Sequence, residues 1–220
     1  MKKKRIIKII GIILIIILIF IAIHTIRNTI IICNLQNKAE KYTKSNNYHI
    51  KSINHINENT TLIINQYQKN EKQLLTLERT VDDETVKISY YNTGSRIDMF
   101  TESKDEKIVE LNATNEILGV TSMTPLQTDN LWQTILYALP TRITSIKIND
   151  YKCYSINDFL SPYNLLGEHK NEYDIEKETG LVRKAVLDEQ NVTREYEFES
   201  VDDSVFIEPD ISQYTLKEND

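Results

Sequence analysis

Glycine and cysteine are scarce in this chain of 220 residues, which holds five glycines, two cysteines, four prolines and one tryptophan. So little glycine leaves no Gly-rich loop to cradle a phosphate, and no G-x-S-x-G nucleophile turn occurs. The two cysteines, Cys33 and Cys153, cannot form a disulfide framework, and a single bridge between them is not expected. The fold must then rest on a hydrophobic core, in which Cys153 reads as a small core residue rather than a nucleophile. Histidine is also sparse. His24 lies in or at the end of an apolar run, and His169 lies in a charged loop. His49 and His55 are spaced to share one strand face, but no cysteine or nearby carboxylate completes a metal set. The acidic pairs Asp82-Asp83 and Asp202-Asp203 look like turn and edge residues, with no sign of two carboxylates facing a substrate. No catalytic residue, metal ligand or cofactor is expected.

Charge of one sign is missing from the start of the chain. All 32 acidic residues lie beyond residue 27, whereas Lys2, Lys3, Lys4, Arg5, Lys8 and Arg27 take six of the 26 basic ones. The chain beyond residue 27 therefore sets 20 basic residues against 32 acidic ones and carries about −12, which argues against nucleic acid and against general adhesion to anionic lipid. The run Ile9–Ile23 holds no charge, and counted on to Ile26 it is long enough to cross a ~30 Å hydrocarbon core at ~1.5 Å per residue. The basic cluster before it places residues 1–5 in the cytoplasm and the remainder outside. Cleavage would call for small residues after the run, where His24-Thr25-Ile26-Arg27 stands instead. Lipidation at Cys33 would call for a small residue before it, where Ile30-Ile31-Ile32 stands. A retained signal anchor over residues 1–27 is expected. The Ile-, Asn- and Lys-heavy composition looks like that of an AT-rich bacterial genome, so the sequons at Asn59, Asn112 and Asn191 read as accidental.

Past the anchor, Ile31, Leu35, Ala39 and Tyr42 recur at near-helical spacing and predict a juxtamembrane amphipathic helix over residues 28–46, ended by Ser45-Asn46-Asn47. From 47 to 215 the dominant period is two. Val86, Ile88 and Tyr90 alternate with polar neighbours, as do Leu75, Leu77 and Val81. Short polar gaps at Glu58-Asn59, Lys69-Asn70-Glu71, Asp82-Asp83, Asn92-Thr93-Gly94 and Ser103-Lys104-Asp105 mark a meander of hairpins. One segment departs from the pattern. Leu131, Trp132, Ile135, Leu136 and Leu139 form a helical stripe opened by Thr128 or Asp129 and stopped by Pro140. The plain reading buries Trp132, Ile135 and Leu136 against the sheet. The functional alternative makes them, with Leu165 and Leu166 of the loop Leu160–Gly167, a lid or the lining of an apolar ligand groove. Strands resume at 143–148, 151–157 and 172–177. The turn Glu178-Thr179-Gly180 comes next, then a strand Leu181–Asp188 and a turn at Glu189-Gln190-Asn191. The strand Val192–Ser200 sets Tyr196 and Phe198 on one face and Glu195, Glu197 and Glu199 on the other. Residues 216–220 form a polar tail.

Tyr173–Gly180 with Leu181-Val182-Arg183-Lys184, then Tyr196-Glu197-Phe198, Val205-Phe206, Pro209-Asp210-Ile211-Ser212 and Tyr214, resemble the C-terminal end of the LolA/LolB-like lipoprotein-carrier superfamily. More narrowly, they resemble the sporulation and germination lipoproteins of Gram-positive bacteria that share its fold. The resemblance spans roughly residues 34–215 and departs from its lipoprotein relatives at Cys33, where the lipidation motif is absent. It implies a mainly β (α+β) domain, a curved antiparallel half-barrel of about eight to eleven strands with helices on its concave face. It also implies a non-catalytic role in the cell envelope. One expectation is a scaffold or regulator that engages a protein partner, with Glu195, Glu197 and Glu199 as a candidate surface. The alternative is a carrier or sensor that holds an acyl chain or another apolar ligand in the concave face. A retained anchor tips the expectation toward the partner, because a shuttle must leave the membrane whereas tethering concentrates a scaffold near its target.

Overall fold

The structure is a computed structural model that describes residues 2–113, 128, 130–158, 171–187 and 190–217. It is mainly β, as expected. Helix α1 (Lys2–Thr43) runs 42 residues without a break. Strands β1 (Asn47–Asn57), β2 (Thr60–Lys69), β3 (Lys72–Val81), β4 (Glu84–Asn92), β5 (Ile97–Glu102) and β6 (Lys107–Glu110) come next. Then come helix α2 (Leu131–Ala138), β7 (Arg142–Ile148), β8 (Tyr151–Asp158), β9 (Asn171–Glu176), β10 (Val182–Leu187), β11 (Gln190–Phe198) and β12 (Thr215–Leu216). The strands share one hydrogen-bonded order, β12-β6-β5-β4-β3-β2-β1-β11-β10-β9-β8-β7. That order has two ends, so the sheet is open. Its twelfth strand is the short β12, which pairs with β6 in parallel, while the pairings within the meander are antiparallel.

The chain forms two compact units, Met1–Ala39 with Thr124–Leu181, and Glu40–Met123 with Val182–Asp220. In the first, α1 buries Asn28, Ile32, Leu35 and Ala39. Their spacing of four, three and four follows the helical repeat. Ile32, rather than the expected Ile31, faces inward, and Ile31 is half-buried. Strands β7, β8 and β9 pair antiparallel and supply Ile143, Cys153, Ile156 and Ile175 to the core. Cys153 is fully buried and Cys33 half-buried, and neither is in a disulfide. The turn after β9 reaches Gly180 at φ +75°, where a Cβ would stand 2.2 Å from the Leu35 carbonyl oxygen and 3.0 Å from the Ala39 nitrogen. Only glycine permits both that backbone conformation and that approach to α1.

In the second unit the hairpins form where the polar gaps predict them. Asp82 and Asp83 both take left-handed backbone (φ 48° and 69°), the conformation of a type I′ turn whose twist matches its flanking strands. Asn70 (φ 54°) serves the hairpin before it. Residues directly opposite across a ladder share a face, so the register sorts the side chains. One face carries Ile50, Leu75 and Tyr90, all buried, with Tyr196 opposite Ile50. The other carries Leu74, Phe100 and Val109, also buried. Over that second face runs the segment after β11. Val201 and Phe206 pack with Leu74, Tyr67 and Tyr91, and Tyr214 meets Phe100 edge-on at 5.1 Å. Two 3-10 turns shape the segment, Asp203–Phe206 and Ile211–Gln213, each opened by an aspartate (Asp202, Asp210) that accepts from the backbone N–H two residues on.

This packing has two measurable outcomes. Gly180→Ala should lower stability by on the order of 2–4 kcal/mol, since it combines backbone strain with a clash against α1 backbone. Thermal melting of the full chain in detergent measures it. The second outcome is alkaline loss of stability. Burial raises the phenols of Tyr48, Tyr90, Tyr91 and Tyr214 above their ordinary value. Tyr214 is pushed up to about 12, first by burial and then by its hydrogen bond to Glu102. A phenol that holds its proton more tightly folded than unfolded stabilises fully below the ordinary value of 10.0 and loses that contribution as pH rises through its folded value. The melting temperature should therefore fall between pH 10 and 12, and less steeply in Tyr214→Phe.

Candidate functional site

Three surfaces bear on function, one in the first unit and two in the second. In the first unit, α2 is an eight-residue helix whose N-cap is Asn130, with Oδ1 accepting from the Gln133 N–H at 3.0 Å. The expected cap Thr128 does not serve. Thr128 instead lies 2.7 Å, oxygen to oxygen, from the Thr134 hydroxyl and accepts from Gln36 of α1 at 2.8 Å, and Asp129 lies outside the described residues. The inward side of α2 is small and polar, with Thr134 and Ala138 buried. At its C-terminal end the Asn28 carboxamide donates to Thr141 O at 2.6 Å and Ala138 O at 3.2 Å. His24 Nε2 stands 3.2 Å from the same Thr141 oxygen. Carbonyls at a helix C-terminus have no partner inside the helix, and the amide of α1 supplies one.

This arrangement turns the apolar stripe of α2 outward. Trp132 is 75% exposed, Leu136 68%, Leu131 61% and Leu139 46%, while Ile135 is half-buried. The expectation that Trp132 and Leu136 fill the core is therefore overturned. Asn28 bonds Ala138, and Thr128, itself held by Gln36, meets Thr134, so the polar side of α2 faces inward and the stripe faces out. Leu165 and Leu166 lie outside the described residues. The residues that seat α2 went unread in the sequence, although His24 and Asn28, one helical turn apart in a run of isoleucines, were a visible polar mark.

In the second unit, Glu195 and Glu197 of β11 share an exposed face, as predicted. Each faces a basic or ionisable neighbour on β1, Glu195 opposite Lys51 and Glu197 opposite His49. His49 Nδ1 stands 3.4 Å from Glu197 Oε2, its Nε2 stands 3.1 Å from Asn65 Oδ1, and its ring stacks on Tyr67 at 4.1 Å. Glu199 is not on that strand. The strand stops at Phe198, and Glu199 turns the chain in left-handed backbone at φ 59°. The surface is thus a mixed-charge band rather than an acidic strip of three.

The third surface is the opposite face of the same strands. Beside the buried row Ile50–Leu75–Tyr90, the next cross-strand row is Ser52, Ile64, Leu77, Ile88, Thr101 and Ile108. Its aliphatic members are half-buried. One row further on, Leu62 is half-buried and Val86 is 39% exposed. Exposure therefore rises along the strands toward the Asp82–Asp83 turn, and the sheet presents aliphatic side chains to the surface there. Tyr196 lies deeper on this face. Its hydroxyl donates to Val182 O at 2.7 Å, and burial raises its phenol.

No family model matches the chain, and no curated protein matches it. Among solved structures it is similar to a DUF1329 family protein from Desulfovibrio piger ATCC 29098, at 10% identity and a TM-score of 0.32, over 84% of this chain and 97% of that one.

Trp132→Ala should change the melting temperature of the detergent-solubilised chain little, within ~0.5 kcal/mol, as for an exposed side chain. Asn28→Ala should cost about 1–3 kcal/mol, because it leaves the buried Ala138 and Thr141 carbonyls short of a donor. Equal losses in the two variants would mean that Trp132 is packed after all.

Proposed function

We propose that this chain is a non-catalytic binding protein of the bacterial cell envelope, tethered by α1, with its N-terminus cytoplasmic and its β domain outside. On this reading it acts as a scaffold or regulator of another envelope protein, and its fold belongs with the LolA-like domains its sequence resembles. The observation that carries the reading is the seating of α1. One helix near the N-terminus is long and apolar enough to cross a membrane. It continues without interruption into the first unit, where His24 and Asn28 already hold Thr141. A helix so built into its domain suits a permanent tether better than a removable leader, and a permanent tether suits a stationary partner better than a shuttle.

A second reading has its own observation. The half-buried row Ile64, Leu77, Ile88 and Ile108 is where an acyl chain or another apolar ligand would lie, and it supports a carrier or sensor.

The tether is tested by intact mass and protease access. Protein from the membrane fraction should weigh the full 25.7 kDa and should lose its β domain when protoplasts are treated with protease. Loss of the first ~25 residues would overturn it. The two readings part under Leu77→Asp. If purified full-length protein carries an acyl lipid in equal amount and the substitution removes it, the ligand reading replaces the partner reading. If crosslinking in membranes captures one envelope protein, reversing Glu195 and Glu197 to Lys weakens the capture, and Leu77→Asp does not, the partner reading stands.

A further inference from the structure

We infer that α2 is a second membrane contact, a short interfacial helix that lays Leu131, Trp132, Leu136 and Leu139 into the outer leaflet beside the tether. The inference rests on the reading that α1 stays in the bilayer.

Three observations converge on it. First, α2 is held to α1 at a defined height. The C-terminal end of α2 is hydrogen-bonded through Ala138 and Thr141 to Asn28, with His24 at the same oxygen. From Ile6 to His24, α1 rises ~27 Å at ~1.5 Å per residue, close to the ~30 Å of a hydrocarbon core. With Ile6 at the cytoplasmic boundary, residues 24–28 reach the outer one, and α2 is fixed at that level. Second, the apolar side of α2 is the uncovered side, and the uncovered isoleucines of α1 continue past the contact to Ile26 (60% exposed) and Ile30 (55%). Tether and α2 thus both carry uncovered apolar side chains at the level where Asn28 joins them. Third, the chemistry fits the boundary. Leu131–Ala138 contains no charged residue, and its exposed stripe pairs leucines with a tryptophan, the residue enriched where acyl chains meet headgroups. A helix of this kind lies ~5–10 Å into that boundary.

Trp132 is the protein's only tryptophan, so its fluorescence reports on α2 alone. The full-length chain is reconstituted in vesicles of phosphatidylcholine and phosphatidylglycerol and checked for resistance to alkaline carbonate extraction. Emission should be blue-shifted, quenched by lipids brominated near the headgroup end of the acyl chain, and shielded from aqueous iodide. Leu131→Glu with Leu136→Glu should restore iodide quenching severalfold while the chain still resists extraction. Iodide-accessible Trp132 in the unaltered, extraction-resistant chain would overturn the inference and leave the tether reading intact. Shielding from both iodide and brominated lipid would also overturn it, by showing that a protein surface, a second copy or a partner, covers α2. Release of the unaltered chain by carbonate would remove the tether reading, and this inference with it.

Discussion

Hairpin register is the constraint on which the second unit depends. A strand's side chains alternate at a period of two, so a slip of one residue at any turn would exchange its two faces. The left-handed pair Asp82-Asp83 and the left-handed Asn70 prevent that slip by closing their hairpins in the twist the strands already have. With register fixed, Leu74, Phe100 and Val109 meet the segment from Val201 to Tyr214, and Ile50, Leu75 and Tyr90 collect on the reverse. Neither set could assemble if one turn were a residue longer. The charge band on β11 is a product of the same register, which sets Lys51 and His49 against Glu195 and Glu197.

The range of each interaction decided whether the sequence revealed it or hid it. Strand limits in the meander could be read because the signals are local, an alternation of apolar and polar residues interrupted by Asn, Asp and Gly. The helix at 131–138 was legible for the same reason. Which way it faces was not. A period of 3.6 reveals a stripe but not the medium that receives it, and the deciding contacts come from Asn28 and Gln36, about a hundred residues earlier. Glu199 looked like a continuation of the acidic alternation because nothing in the pattern announced the left-handed turn that takes it off the strand. The two-residue parallel pairing of β12 had no periodic signature at all.

The first unit shows how a polar side chain in an apolar helix can be structural. Asn28 is fully buried and spends its amide on two carbonyls at the end of α2. Gly180 does the complementary thing a few turns along the same helix, removing a side chain so that backbone can approach backbone. One contact adds a donor and the other removes a carbon. Both bring the rest of the unit against α1, alongside the polar contacts of His24 and Gln36.

The parallel pairing of β12 with β6 also has a consequence in time. Lys217 N–H bonds Val109 O and its Nζ reaches Glu110, a residue 107 positions earlier. Until residues 215–217 have been synthesised, the outer hydrogen-bonding groups of β6 have no strand beside them. At ~5–20 residues per second that interval is roughly 5–20 s, long enough for an unpaired strand edge to recruit another nascent chain. A protein whose sheet edge is completed so late would benefit from a chaperone that shelters it during synthesis, and its yield should be governed by the pace of translation over its second half.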